Sequence, residues 1–122
     1  MLIAILLLSV FAVGTLSFTD TVEAATWKKI DSGTIYGKTD PGYKNKLTYV
    51  SYIKGSKDIK MNFYGYKTKN NKKVLGGIIY FSKVGNKIKI TEIDSKGEKS
   101  KPEYISYGGT VKQYYKSFKS TL

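Results

Sequence analysis

Apolar and polar positions alternate most clearly where Ile59, Met61 and Phe63 interleave with Lys60, Asn62 and Tyr64. A period of two puts one set on each side of a strand. Residues 47–53, rich in Thr, Val, Ile and Tyr, predict a second strand before it. Residues 27–36 predict a first strand, or a strand pair broken near Ser32-Gly33. Asp40-Pro41-Gly42 and Gly55-Ser56-Lys57-Asp58 supply turns. Residues 74–84 are apolar at both parities: Val74, Ile78 and Tyr80 on one side, Leu75, Ile79 and Phe81 on the other. Two apolar faces predict a strand in the middle of a layered structure.

Two short polar segments set an expected register. Asn70-Asn71 suits a two-residue hairpin loop, since Asn tolerates positive φ. Counting back from it pairs Phe63 with Ile78, Met61 with Tyr80 and Tyr64 with Gly77, with Tyr64 and Tyr66 covering the Gly76-Gly77 gap. Gly85-Asn86 suits a second loop, which pairs Phe81 with Ile90, Tyr80 with Thr91 and Ile78 with Ile93. Residues 104–107 predict a last strand. Thr110 and Gln113 then form a helix-opening capping box. Val111, Tyr114, Tyr115, Phe118 and Leu122 recur on one side of that helix, with Lys112, Lys116 and Lys119 elsewhere around it. The predicted fold is mainly β: an antiparallel β-meander of five to seven strands, as a small sandwich or partial barrel, with one C-terminal α-helix.

The N-terminal pattern is different. Residues 2–13 are an apolar run, followed by a polar stretch and Val22-Glu23-Ala24. That order is the order of a secretory signal peptide, with cleavage after Ala24. The run is short for a membrane span of about 20 residues, and it lacks the preceding cation that such leaders usually carry. The expected organisation is residues 1–24 as leader and 25–122 as a single small domain, released outside the cell. Losing Asp20 and Glu23 leaves 21 lysines against seven carboxylates, a formal charge of +14. The use of Lys without Arg, with many Ile, Asn and Tyr, points to AT-rich coding and a low-GC Gram-positive exporter.

Composition narrows the chemistry. The chain has no Cys, no His and no Arg. Disulfides, thiol nucleophiles, His-based acyl-transfer triads and His- or Cys-ligated zinc are excluded on residue type alone. Glu92 and Asp94, two apart on one strand, are the one conceivable acid pair, although Asp94 reads more simply as a turn opener. Gly76-Gly77 and Gly108-Gly109 lack the Lys-Ser or Lys-Thr of a phosphate loop. No cofactor is implied, and an enzyme is not expected. The 22 strongly apolar residues and 11 Tyr beyond residue 24 are enough for a folded core.

What remains is lysine interleaved with tyrosine, a pairing suited to contact surfaces. Lys60, Tyr64 and Tyr66 share one strand parity, and Tyr114 and Tyr115 flank Lys112 and Lys116, with Lys119 one turn on. The expected function is that of a small secreted, cationic, non-enzymatic protein that binds an anionic membrane or cell-wall polymer. Antimicrobial action in the manner of a bacteriocin is its biological sense, and the C-terminal helix is the expected membrane-facing element. The alternative is an exported module that binds an acidic protein, as an inhibitor or host-factor ligand. Nucleic acid is disfavoured by the leader and by the absence of Arg.

Overall fold

A computed structural model describes residues 27–122 of the chain; the expected leader and its expected cleavage site lie outside the described residues. Six strands form one sheet in chain order: β1 (Lys28–Tyr36), β2 (Lys46–Lys54), β3 (Asp58–Tyr66), β4 (Lys73–Val84), β5 (Lys87–Ile93) and β6 (Glu103–Ser106). Every neighbouring pair is antiparallel. Helix α1 (Val111–Lys119) follows. The expected meander and C-terminal helix are therefore present, and the helix is the second layer over a single sheet.

The β4–β5 hairpin keeps the register read from Gly85-Asn86: Phe81 faces Ile90, Tyr80 faces Thr91 and Ile78 faces Ile93. Gly85 takes φ +60° there, a conformation that costs glycine nothing.

The β3–β4 register differs from expectation. Met61 pairs with Ile79, Phe63 with Gly77 and Tyr64 with Leu75. Two local features cause the slip. The loop spans residues 68–71, because Lys67 N–H bonds Lys72 O (2.9 Å) and Asn71 N–H bonds Lys67 O (2.8 Å). Only Asn71 of the two asparagines has positive φ (58°), whereas a two-residue type I′ turn needs both. A bulge between Phe63 and Tyr64 then leaves Gly76 as the extra residue on β4. Moving one position changes which side chains share a face. Ile79 and Phe81 join Ile59, Met61 and Phe63 on one face; Leu75, Ile78 and Tyr80 share the other with Tyr64, Asn62 and Lys60. Phe63, and not Tyr64 or Tyr66, lies opposite Gly77.

The irregularity in β1 falls between Lys29 and Asp31, not at Ser32-Gly33. Ile30 is the additional residue, and it packs against the core. Gly33 lies across from Tyr49. A Cβ on Gly33 would sit 2.6 Å from the Tyr49 hydroxyl oxygen, so its missing side chain is the slot for that ring.

The core forms where α1 covers one face of the sheet. Ile59, Met61, Phe81, Ile88 and Val111 are 0% exposed and Tyr115 is 2% exposed. The Phe81 ring centroid lies 5.1 Å from Phe118, 5.9 Å from Tyr114 and 6.3 Å from Tyr115. The capping box is present: Gln113 N–H donates to Thr110 Oγ1 (3.1 Å) and Thr110 N–H to Gln113 Oε1 (2.9 Å). The helix stops at Lys119. Ser120 Oγ and Thr121 Oγ1 donate to the carbonyls of Ser117 and Phe118 (both 2.7 Å), a local alternative to another helical turn. Leu122 is thus beyond the helix and 46% exposed, not on its apolar side. Thr110→Ala is expected to cost about 1 kcal/mol, read as a lower melting temperature, with Thr110→Ser close to wild type.

Candidate functional site: the open lysine–aromatic face

The two faces of the sheet carry different chemistry. On the helix-covered face, β1, β2 and α1 bring four polar side chains together. The Tyr115 hydroxyl lies 2.6 Å from Ser51 Oγ and 3.0 Å from Asp31 Oδ2, and Lys119 Nζ lies 2.5 Å from Asp31 Oδ2. With one proton per hydroxyl, Ser51 donates to Tyr115 and Tyr115 donates to Asp31. Burial pushes the Asp31 carboxyl up, but hydrogen bonds from Lys119, Tyr115 and the Ser32 N–H outweigh it and hold it below its usual range. Burial pushes the Tyr115 phenol well up, supported by its bond to Asp31. Ser51 is 0% exposed, so no substrate atom reaches its hydroxyl. The group latches the helix to the sheet. Lys83 makes a second tie: Nζ donates to Tyr107 O (2.7 Å) and Gly109 O, just ahead of the helix.

This arrangement divides the residues singled out in the sequence. Tyr115 is in the core, Tyr114 and Lys119 pack or pair against the sheet, and Lys112 and Lys116 stay exposed on the helix. The apolar side of α1 is occupied by the sheet. Lys60, Tyr64 and Tyr66 lie together on the opposite face. The acid pair does not form: Glu92 is exposed, and Asp94 lies past the end of β5, where Oδ1 accepts the N–H groups of Lys96 (2.8 Å) and Glu98 (2.9 Å). It opens a turn.

Among the described residues no helix or strand packs on that opposite face, and the register defines its rows. Lys29, Tyr52, Lys60, Tyr80 and Thr91 form one row across the strands; Ser32, Val50, Asn62, Ile78 and Ile93 form the next. Beyond them come Thr34, Thr48, Tyr64 and Leu75, then Tyr36, Lys46, Tyr66 and Lys73. The aromatic rings lie under ammonium groups at both ends. Lys54 and Lys60 stand 5.0 and 4.6 Å from the Trp27 ring centroid, and Lys60 stands 5.6 Å from Tyr52. At the other end Lys73 stands 4.4 Å from Tyr64 and Lys46 4.9 Å from Tyr66. Each such contact is worth about 0.5–1 kcal/mol at a surface site. It also fixes the position of a flexible lysine head.

Hydroxyl and amide groups run between the two ends. Thr48 Oγ1 and the Tyr66 hydroxyl are 2.8 Å apart, and Asn62 Nδ2 reaches the Tyr64 hydroxyl at 3.5 Å. Trp27 Nε1 and Asn62 Oδ1 are buried without a hydrogen-bond partner. Asp58, on the next row with Lys54, Ser82 and Lys89, accepts from Ser82 Oγ at 2.6 Å. Reading the sequence missed Trp27, Tyr80, Lys46, Lys54 and Lys73 as members of this surface. Parity alone places all but Trp27, once the Gly76 bulge is known. Comparison of the chain with protein-family models, with curated proteins and with solved structures finds no match.

Proposed function

We propose that the protein is an exported, non-enzymatic binder of anionic cell-envelope material, and that the open face does the binding. The observation that supports this most directly is the set of lysine ammonium groups held over Trp27, Tyr52, Tyr64 and Tyr66 on the face away from the helix. Asp58, the one carboxylate that the described strands place on that face, is engaged by a serine hydroxyl. A fixed cationic surface attracts polyanions without a pocket, and the attraction is short-ranged at physiological salt, where screening sets in beyond about 8 Å. The Lys119–Asp31 salt bridge belongs to the latch on the other face, and beyond residue 24 lysines outnumber carboxylates three to one. Growth inhibition of a competing bacterium is the biological sense proposed for such adhesion.

Binding to isolated cell envelopes tests this. Replacing Lys46, Lys54, Lys60 and Lys73 together by Gln is expected to weaken binding by roughly two to three orders of magnitude, at about 1 kcal/mol per lysine. Replacing Lys112 and Lys116 is expected to have a far smaller effect. Affinity that is unchanged in the fourfold variant, or that is indifferent to salt, would exclude the reading. Saturable 1:1 capture of one acidic protein that survives moderate salt would favour the protein-binding module instead.

A further inference from the structure

We infer that the ligand of the open face is a linear polyol-phosphate or sugar-phosphate polymer, engaged at both ends of the face at once. The inference rests on the anionic-envelope reading above and names the chemistry of what is bound.

The cations around the aromatic rings fall into two groups, with Lys87 and Lys89 on the same face of β5 beyond the first. Lys29, Lys54 and Lys60 gather around Trp27 and Tyr52; Lys46 and Lys73 gather around Tyr64 and Tyr66. Lys60 and Tyr66 are six residues apart on β3, which separates the two groups by about 20 Å at strand rise. Between them lie Val50, Asn62, Ile78 and Ile93, with no charge. A small monoanion satisfies one group. A chain with repeated anionic groups reaches both, and the second contact is then intramolecular.

The middle of the face favours a hydroxylated chain. Ser32 and Asn62 are the polar side chains of the middle row. Ser32 is exposed, so its hydroxyl is within reach of a polyol hydroxyl and can donate to it or accept from it. The Thr48, Tyr64 and Tyr66 hydroxyls extend the same polar track.

Two rival ligands fit less well. A bilayer requires apolar side chains that protrude into it. On this face Val50, Leu75, Ile78 and Ile93 are only half-exposed at most and Trp27 is 8% exposed. The prominent exposed side chains are at the perimeter: Tyr36 and Tyr104 on the edge strands, Val84 beside the β4–β5 turn and Leu122 at the C-terminus. Single-stranded nucleic acid binds by stacking bases on open aromatic faces, whereas the Trp27, Tyr64 and Tyr66 rings already lie under lysine ammonium groups.

The test is calorimetric titration of the protein with poly(glycerol phosphate) of graded length, beside phosphatidylglycerol vesicles and oligothymidylate of matched charge. Affinity for poly(glycerol phosphate) is expected to rise about a hundredfold as the chain comes to span about 20 Å, and then to level off. The Trp27 indole N–H resonance should shift on binding. Lys46→Gln with Lys73→Gln should flatten the length dependence; both side chains are on the open face, and an unchanged melting temperature confirms the fold. Four results overturn the inference. A length-independent affinity removes the two-ended contact. Tight vesicle binding that soluble polymer does not displace replaces the polymer with lipid and leaves envelope binding standing. Tighter oligothymidylate binding replaces it with nucleic acid. Binding to neither polymer nor vesicles removes the envelope reading as well.

Discussion

Phe81→Ala is expected to remove about 3–5 kcal/mol of stability. Phe81 is 0% exposed at the middle of β4, with Ile59 and Ile90 directly beside it in the neighbouring strands. Phe118, Tyr114 and Tyr115 converge on its ring from the helix. Truncation leaves a cavity at the one place where sheet and helix both contribute, and neither relaxes without giving up its other partners. A disulfide-free domain of this size has roughly 5–10 kcal/mol in total, so the loss is about a third or more. A thermal melt followed by far-ultraviolet circular dichroism should show a midpoint lower by roughly 12–40 °C, at about 4–8 °C per kcal/mol. The neighbour Ile78 gives the contrast. It is half-buried on the open face, and Ile78→Ala should cost distinctly less. Under the register counted from Asn70-Asn71, Ile78 would oppose the core residue Phe63 and the order of the two losses would reverse. The pair of melts therefore tests the β3–β4 register directly.

That register marks the limit of what the sequence discloses here. Local signals were legible: the alternation around Met61, the Gly85-Asn86 hairpin with its three pairings, and the Thr110–Gln113 capping box all act over a few residues, and the structure contains each. The bulge at Gly76 was not legible. It is set by the packing of Phe63 opposite Gly77, where a Cβ would come 3.1 Å from Ile93 O, so three strands decide it together. The same holds for the surface residues. Tyr115 and Tyr114 carry the same side chain on the same helix, yet one is buried against Ser51 and the other is half-exposed beside Tyr107. Helical spacing puts both on the apolar side, and only docking distinguishes core from rim. Trp27 was read as part of a strand. Its position under Lys54 and Lys60 depends on which way β1 leaves the sheet, and no local pattern encodes that.

Tyr115→Phe is the second large effect, and its pH dependence identifies the cause. The substitution preserves the ring against Phe81 and removes only the hydroxyl that joins Ser51 to Asp31. The Ser51 hydroxyl, 0% exposed, is left with no partner, a penalty of about 1–3 kcal/mol. In the wild type the Tyr115 phenol is raised by burial and by Asp31, and the Lys119 ammonium is raised chiefly by its bond to Asp31. Groups raised in the folded state contribute fully below their unfolded values of about 10, and the contribution is lost as pH climbs through the raised ones. The stability gap between wild type and Tyr115→Phe should therefore be flat near neutrality and close as pH rises above about 10. Asp31 has the opposite sign. Its carboxyl is held low, so its contribution is complete above about 4 and disappears as acid protonates it below that. The gap between wild type and Asp31→Asn should close on the acid side instead. Urea midpoints measured from pH 3 to pH 11 check both limbs, and gaps that stay constant across that range would mean that the four side chains do not act as a latch.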